Sequence, residues 1–334
     1  MDKFACYNSS FQYNNQDYRG FLLFLSQIYH HQGIFMGTSL KYSVLITAYK
    51  EPNTIGKAID SFAVQMDPRI SELIVVCPDE ETTEVVLQRA EIYPFVRHVQ
   101  DPKLGKPAAL NIGMKEIRGE MVFLSDGDVW VGEDSLAPML KILEDPKVGA
   151  VTARPISISP RTTMLGFWSH LLTHAIHEMR QTRDKEGRFL ILSGYYFAYK
   201  PALIDKIPED ALSEDAVISH MLFDQDYQVR YCQQAEVYVK YPTTYKDWLI
   251  QKVRSAGGYA QDYIRKSKHN MRSPLSEAIH GTSLALKFPK TLKESAWTYM
   301  LFIARVHLWS LVFINVRVMK RPLSTLWKRV ETTK

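Results

Sequence analysis

From Tyr42 to Asp128 the chain alternates short β-branched apolar runs with segments whose apolar residues recur at helical spacing, and no other feature restricts its fold as much. Tyr42–Tyr49 reads as a strand, and Asn53–Gln65 as a helix with Ile55, Ile59 and Phe62 on one face and Asn53 or Thr54 at its cap. The rhythm repeats: strand Leu73–Pro78, helix Thr82–Tyr93, strand Val96–Gln100, helix Ala108–Ile117, and a fourth strand from Met121 into Asp128. Strands of this length separated by helices predict an α/β fold with a mostly parallel central sheet flanked by helices. Ligands bind such sheets at the carboxyl ends of the strands, so the chemistry is expected there.

Beyond Gly149 the pattern loosens into an α+β half. Val151–Ile158 reads as a strand, Met164–Arg180 as a long amphipathic helix, Phe189–Lys200 as a strand region, Glu214–Leu222 as a helix and Tyr227–Val239 as extended chain. Thr244–Arg265 reads as a helix softened at Gly257 and Gly258. The expected organisation is an N-terminal extension over 1–37, a catalytic domain over 38–265 and a C-terminal helical, membrane-associating segment over 266–334. The early run Phe21–Leu25 is too short to cross a bilayer and reads as a docking strand or helix turn.

Composition removes several classes. With 334 residues, 46% of them hydrophobic, the chain can bury a large core. A net charge of +5 is too small for whole-surface nucleic-acid binding, and no nucleic-acid partner is expected. Cys6, Cys77 and Cys232 are far apart and odd in number, which fits a reducing, cytoplasmic setting. The first twenty residues lack the pattern of a secretory signal. No Gly-x-Gly-x-x-Gly follows the first strand, which argues against a dehydrogenase, and no basic Gly-rich loop supports a nucleotidyltransferase.

Two acidic motifs carry the chemistry. Ser125-Asp126-Gly127-Asp128 ends a buried strand with two carboxylates one residue apart, a donor set for a hard cation that also binds a diphosphate; the same residues also suit a plain Asp-rich turn. Magnesium and manganese both suit such oxygens. Ser213-Glu214-Asp215 heads an apolar stretch, where a carboxylate can take a proton from an attacking hydroxyl, or simply start a helix.

Taken in order, Ile46–Pro52 (ITAYKEP), Val75–Thr82 (VVCPDEET), Asp101–Gly113 (DPKLGKPAALNIG), the SDGD at Ser125, the SED at Ser213 and Gln251–Ser255 (QKVRS) make Tyr42–Tyr263 resemble the family 2 glycosyltransferases, with their nucleotide-diphospho-sugar (GT-A) fold. The resemblance extends to the cellulose and hyaluronan synthase-like and polyprenyl-phosphate glycosyltransferase groups. It implies Thr47, Ala48, Tyr49 and Glu51 around base and ribose, Asp79 at the base edge or ribose, and Lys106 near the nucleotide. Asp126 would serve nucleotide and metal, Asp128 the Mg2+ or Mn2+ ion, and Asp215 the role of base in an inverting transfer. Glu214, Gln251 and Arg254 would face the acceptor or the diphosphate. The donor implied is a nucleotide diphosphate sugar, with uridine favoured, and the acceptor is a glycan or a lipid-linked hydroxyl.

Each position also has a plainer reading. Tyr49 suits stacking on a nucleobase, or a place beside the sheet. Lys106, just ahead of a helix, suits phosphate or solvent. Processive relatives carry tryptophan after Gln-x-x-Arg, whereas Ser255 stands here, which points to addition of one or a few sugars. Trp248, one turn earlier, is either an acceptor platform or a core anchor. Tyr195 and Tyr196 lie where the family builds its acceptor pocket. His170, His174 and His177 share a helix face that reads as a polar seam sooner than a zinc site. A catalytically inactive binder of nucleotide sugar or of a membrane partner is the rival reading.

Trp297–Val316 is apolar but carries Arg305, His307 and Asn315. An arginine at the centre of a span costs about 2.5–3.5 kcal/mol on insertion scales, so a helix lying in the interface is expected, or one packed on the catalytic domain. Arg317, Lys320, Arg321, Lys328 and Arg329 follow it and would attract anionic lipid on the cytoplasmic side of a membrane.

Overall fold

The structure is a computed structural model that describes residues 41–67, 71–258, 261, 264, 274–315, 330 and 332–333, with the backbone alone over 274–280. The expectations for the N-terminal extension, for the end of the helix after Gly258 and for the basic residues from Arg317 onward lie outside the described residues.

Eight strands form one sheet. They are β1 (Tyr42–Thr47), β2 (Ser71–Cys77), β3 (Val96–Gln100), β4 (Met121–Asp126), β5 (Trp130–Val131), β6 (Val148–Ser157), β7 (Tyr196–Tyr199) and β8 (Gln228–Val239). Their order is β3-β2-β1-β4-β7-β6-β8-β5. β1 pairs in parallel with β2 and β4, and β2 with β3. β6 and β8 are also parallel, whereas β7 runs antiparallel to both its neighbours and β5 antiparallel to β8. The parallel character predicted from the first half therefore holds for β3-β2-β1-β4, and the second half is mixed.

The helices are α1 (Ile55–Ala63), α2 (Glu80–Ile92), α3 (Lys106–Glu116), α4 (Leu136–Leu143), α5 (Met164–Lys185), α6 (Glu214–Phe223), α7 (Tyr245–Gly258), α8 (Pro274–Lys287) and α9 (Leu292–Phe313). In α1 the predicted stripe of Ile55, Ile59 and Phe62 is fully buried, and Thr54 holds the cap position without a side-chain capping bond. Strand periodicity sorts the core into two layers. Val44, Ile46, Val75 and Phe123 face α1 and α4, while Leu45, Ile74, Val76 and Leu124 face α3 and α6. Burying a side chain of this kind contributes about 1.5–3 kcal/mol.

Phe189–Leu192 departs from its strand reading. The segment is buried but pairs with no strand, because side chains satisfy its backbone. Arg183 donates to the Phe189 carbonyl at 2.8 Å, Arg180 to that of Ile191 at 3.2 Å, and the Leu192 N–H donates to Ser219 at 2.9 Å.

A third apolar cluster joins α5, α7, α8 and α9 through Trp168, Leu171, Trp248, Ala285, Leu301 and Ala304. Arg161 clamps the start of α9, donating from Nε to one Glu294 oxygen at 2.8 Å and from Nη2 to the other at 3.1 Å. These Arg161 bonds chiefly hold the Glu294 carboxyl at about 2 instead of 4.5. A depressed carboxyl stabilises the fold above its ordinary value and loses that contribution as pH falls from 4.5 toward 2, where the unfolded chain binds the extra proton first. Docking of α9 should loosen across that window. Near-ultraviolet circular dichroism should report it, because Trp168 donates to the Trp297 carbonyl at 2.7 Å. Arg161→Ala should remove most of this acid dependence.

Candidate active site

β1 sends its connection to one side of the sheet and β4 lies on the other, so a crevice opens where their carboxyl ends meet. Thr47 and Asp126 stand side by side there in register. Thr47, Ala48, Tyr49, Glu51, Lys106, Asp126, Asp128, Glu214, Asp215, Gln251 and Arg254 all line one cavity at this end of the sheet. Motifs up to two hundred residues apart therefore converge.

The centre is a three-member ion pair. Lys106 Nζ lies 2.7 Å from Asp126 Oδ1 and 2.5 Å from Glu214 Oε1. Lys106 is the first residue of α3, and Gly105 before it takes φ 101°, a conformation that favours glycine. Burial acts to lower the Lys106 pKa, but Asp126 and Glu214 more than offset it, so the ammonium stays charged.

Asp215 sits in the first turn of α6. Its Oδ2 accepts from the Gly194 N–H at 3.0 Å and its Oδ1 from the Ala216 N–H at 2.9 Å. These bonds fix the carboxylate's direction. Gly194 has no counterpart in the sequence-level site. Only its place in Ser193-Gly194-Tyr195, just before β7, hints at it, because its contribution is a backbone N–H.

The acidic turn fits tightly. The Gly127 N–H donates to the Thr47 carbonyl at 3.0 Å, and a Cβ on Gly127 would meet Ala48 Cβ at 2.7 Å and collide with Glu51 Oε2. Glycine here lets β4's end press against the first motif. Thr47 Oγ1 is buried with no hydrogen-bond partner among the described residues, an orphan facing the cavity that suits a polar ligand. Gln251 Oε1 is similar.

Two expected residues have structural partners of their own. Asp79 is spent on local structure: Oδ1 accepts from Thr82 N–H and Oγ1 at 3.1 and 2.6 Å, and Oδ2 from the Lys50 N–H at 2.7 Å. Partial burial opposes these bonds, yet together they hold its carboxyl below the ordinary value. It caps α2, directly after Pro78 of the cavity wall. Trp248 takes the core-anchor form, one of its two expected readings. It is 3% exposed and packs edge-on to Trp168 at 5.3 Å and stacked on Tyr245 at 5.8 Å, so it anchors α7 in the third cluster. The Tyr pair splits as strand neighbours do: Tyr195 lines the cavity, while Tyr196 packs on Phe62 and Phe123 in the core. Burial pushes the Tyr195 hydroxyl up to about 12, so it remains a donor at neutral pH.

The histidine stripe of α5 works structurally. His170 bonds the Ser159 carbonyl at 2.8 Å, His177 the Tyr231 hydroxyl at 2.7 Å, and His174 lies over Phe288 with centroids 5.2 Å apart. Among the described residues no group of three or more His, Cys, Asp and Glu side chains is placed to hold a metal ion. Asp126 and Asp128 thus offer two hard oxygen donors, a set that fits Mg2+ or Mn2+ when diphosphate oxygens complete the shell.

A family model described as glycosyltransferase-like family 2 matches residues 40–258. The probable glycosyltransferase YdaM of Bacillus subtilis (strain 168) is 27% identical over 230 residues, covering 65% of this chain and 55% of that protein. A poly-beta-1,6-N-acetyl-D-glucosamine synthase of Staphylococcus epidermidis is 25% identical over 230 residues, covering 67% and 55%. The chain spans about half the length of the curated relatives it matches. Among solved structures, the mannosyltransferase PcManGT of Pyrobaculum calidifontis, in complex with GDP-Man and Mn2+, superposes with a TM-score of 0.57 at 19% identity over 93% of both chains. At that identity the likeness speaks for the fold.

Proposed function

The chain belongs to glycosyltransferase family 2 and has its GT-A fold, and from that premise we propose that it moves a sugar from a nucleotide diphosphate sugar to an acceptor hydroxyl, with inversion. The observation that carries this reading is the junction of Lys106, Asp126 and Glu214 at the crevice, with Asp215 on the same helix turn as Glu214. We place the domain that does this at 38–265, with α8 and α9 following it.

Thr47, Ala48, Tyr49 and Glu51 hold the nucleoside end of the donor; a uridine nucleotide is favoured. Asp126 and Asp128 would hold Mg2+ or Mn2+, which when bound neutralises charge growing on the leaving diphosphate. Lys106, at the amino end of α3, adds positive charge on the same side. Asp215 takes the proton of the acceptor hydroxyl as that oxygen attacks the anomeric carbon from the face opposite the diphosphate. Gln251 and Arg254 orient acceptor or diphosphate. Ser255 in place of a tryptophan supports adding one or a few sugars over making a polymer.

Because the protein alone supplies two carboxylates, metal and nucleotide should bind as a pair. In calorimetric titrations Mn2+ should bind about 5- to 150-fold more tightly with UDP present than without it. Equal affinity in both titrations would count against Asp126 and Asp128 as the shared site. The wider test is release of nucleoside diphosphate from a panel of UDP- and GDP-sugars with Mg2+ or Mn2+. Binding without release from any donor would favour an inactive nucleotide-sugar binder, and no binding at all would overturn the donor site.

A place at the cytoplasmic face of a membrane belongs to the same proposal. α9 is long and apolar enough to cross a bilayer by length and composition, yet Glu294, Thr298, Leu301, Ala304, Leu308 and Val312 face the protein. The opposite stripe of Tyr299, Ile303, Val306 and Phe313 is 61–71% exposed, the form of a helix lying in the interface. Sedimentation with anionic liposomes at low salt is the expected result.

A further inference from the structure

Leu192–Tyr195 leads into β7 without joining a strand ladder, so its backbone groups need partners from elsewhere. Each of the four residues gives one group to a side chain of another element. The Leu192 N–H donates to Ser219 Oγ of α6 at 2.9 Å, and the Ser193 N–H to Thr152 Oγ1 of β6 at 2.8 Å. The Gly194 N–H donates to Asp215 Oδ2 at 3.0 Å, and the Tyr195 carbonyl accepts from Ser125 Oγ of β4 at 3.1 Å. Ser219 in turn donates to the Asp215 carbonyl at 2.5 Å, and the Tyr196 N–H closes a turn onto the Ser193 carbonyl at 3.1 Å. Ser125, Thr152 and Ser219 are at most 3% exposed. A hydroxyl taken that far from water is costly unless it is hydrogen-bonded, and these three are committed to this one loop and to Asp215 beside it.

Ser125 and Tyr196 form the last rung between β4 and β7, and the Ser125 hydroxyl carries that pairing one residue further, to Tyr195. Ser125 is also the chain neighbour of Asp126. A short path of two hydrogen bonds therefore runs from the end of β4 through Tyr195 and Gly194 to Asp215. We propose that Ser125 and Thr152 are positioning residues: by holding Ser193–Tyr195 they fix the Gly194 N–H, and through it the Asp215 carboxylate, at working distance from the acceptor oxygen. The proposal rests on the glycosyl-transfer reading and adds two residues to it. A general base has to lie within about 2.6–3.2 Å of the atom whose proton it takes. Misplacement by about 1 Å can cost about 10²-fold, so hydroxyls that touch no reactant can govern the rate. The fit at Gly194 agrees: a Cβ built there would stand 3.3 Å from Asp215 Oδ2, closer than ordinary contact, so a side chain would push the carboxylate out of line.

The test uses the full chain and measures nucleoside diphosphate released from UDP- and GDP-sugars with Mn2+, water serving as the acceptor, with calorimetric titration of UDP and Mn2+ in parallel. Ser125→Ala and Thr152→Val each remove one hydroxyl. Each should lower kcat about ten- to a hundredfold while the donor KM and the UDP affinity stay as in the wild type. In an Asp215→Asn background either substitution should change the rate by less than about twofold, because the step it serves is already lost. Hydrogen exchange at the Gly194 amide should be faster in both single variants. Should one variant fail to fold, the other carries the same readings, since the two residues lie on different strands. Unchanged turnover in the single variants overturns the proposal. So does a loss repeated in full in the Asp215→Asn background, which would mean that the hydroxyls act on something other than Asp215. A fall in UDP affinity equal to the fall in turnover also overturns it, as damage to the donor end. No release from any donor by the wild type overturns the transfer reading on which the proposal stands, a result distinct from all of these.

Discussion

Asp215→Asn should lower the turnover of sugar transfer by about 10²- to 10⁴-fold, the usual contribution of a positioned general base. Nucleotide affinity should change little, because Lys106 and Glu214, not Asp215, meet at the donor end. The substitution is close to isosteric but not silent in structure. One Asp215 oxygen accepts from Gly194 and the other from Ala216, and an amide nitrogen can accept from neither. The loop before β7 therefore loses one anchor, and Asp215→Ala, which removes both, separates the chemical effect from the structural one. If both variants keep nucleotide binding and lose transfer together, the base assignment stands. Retained turnover in Asp215→Asn would sink it. A rise in KM without a fall in kcat would reduce Asp215 to holding the loop.

Lys106→Met should cost about 10²- to 10³-fold in kcat/KM, the scale seen when one preorganised charge donor to a developing anion is lost. It should also destabilise the fold by about 1–3 kcal/mol, less than a fully buried pair would cost, because roughly a quarter of each of the Lys106 and Asp126 side chains is exposed. Without the ammonium, the Asp126 and Glu214 carboxylates are left facing each other beside Asp128. Added Mg2+ or Mn2+ should therefore restore more thermal stability to this variant than to the wild type. Thermal melts with and without metal check this. Identical metal responses would show that the carboxylates do not share the site.

The first half of the fold was legible because strand and helix periods are written locally. The β-branched runs at Tyr42–Thr47, Leu73–Cys77 and Met121–Ser125 had to be buried strands, and the crevice at the strand ends followed from their parallel order. Ser125–Asp128 and Ser213–Asp215 were legible for the same reason, as carboxylates at the end of a strand and at the head of a helix. Phe189–Leu192 was misread because its backbone partners are the side chains of Arg180, Arg183 and Ser219, which no local period records. Asp79, placed by motif order, also caps a helix, and Trp248, left between acceptor platform and core anchor, is held by aromatic packing that no local period records.

By itself, then, the sequence determined an α/β sheet, its crevice and the residue types that line it, since propensity and periodicity act over a few residues. Only the tertiary structure decided which charges meet. Lys106, Asp126 and Glu214 come from three elements spread over more than a hundred residues, and their pairing depends on how α3 and α6 pack on one face of the sheet.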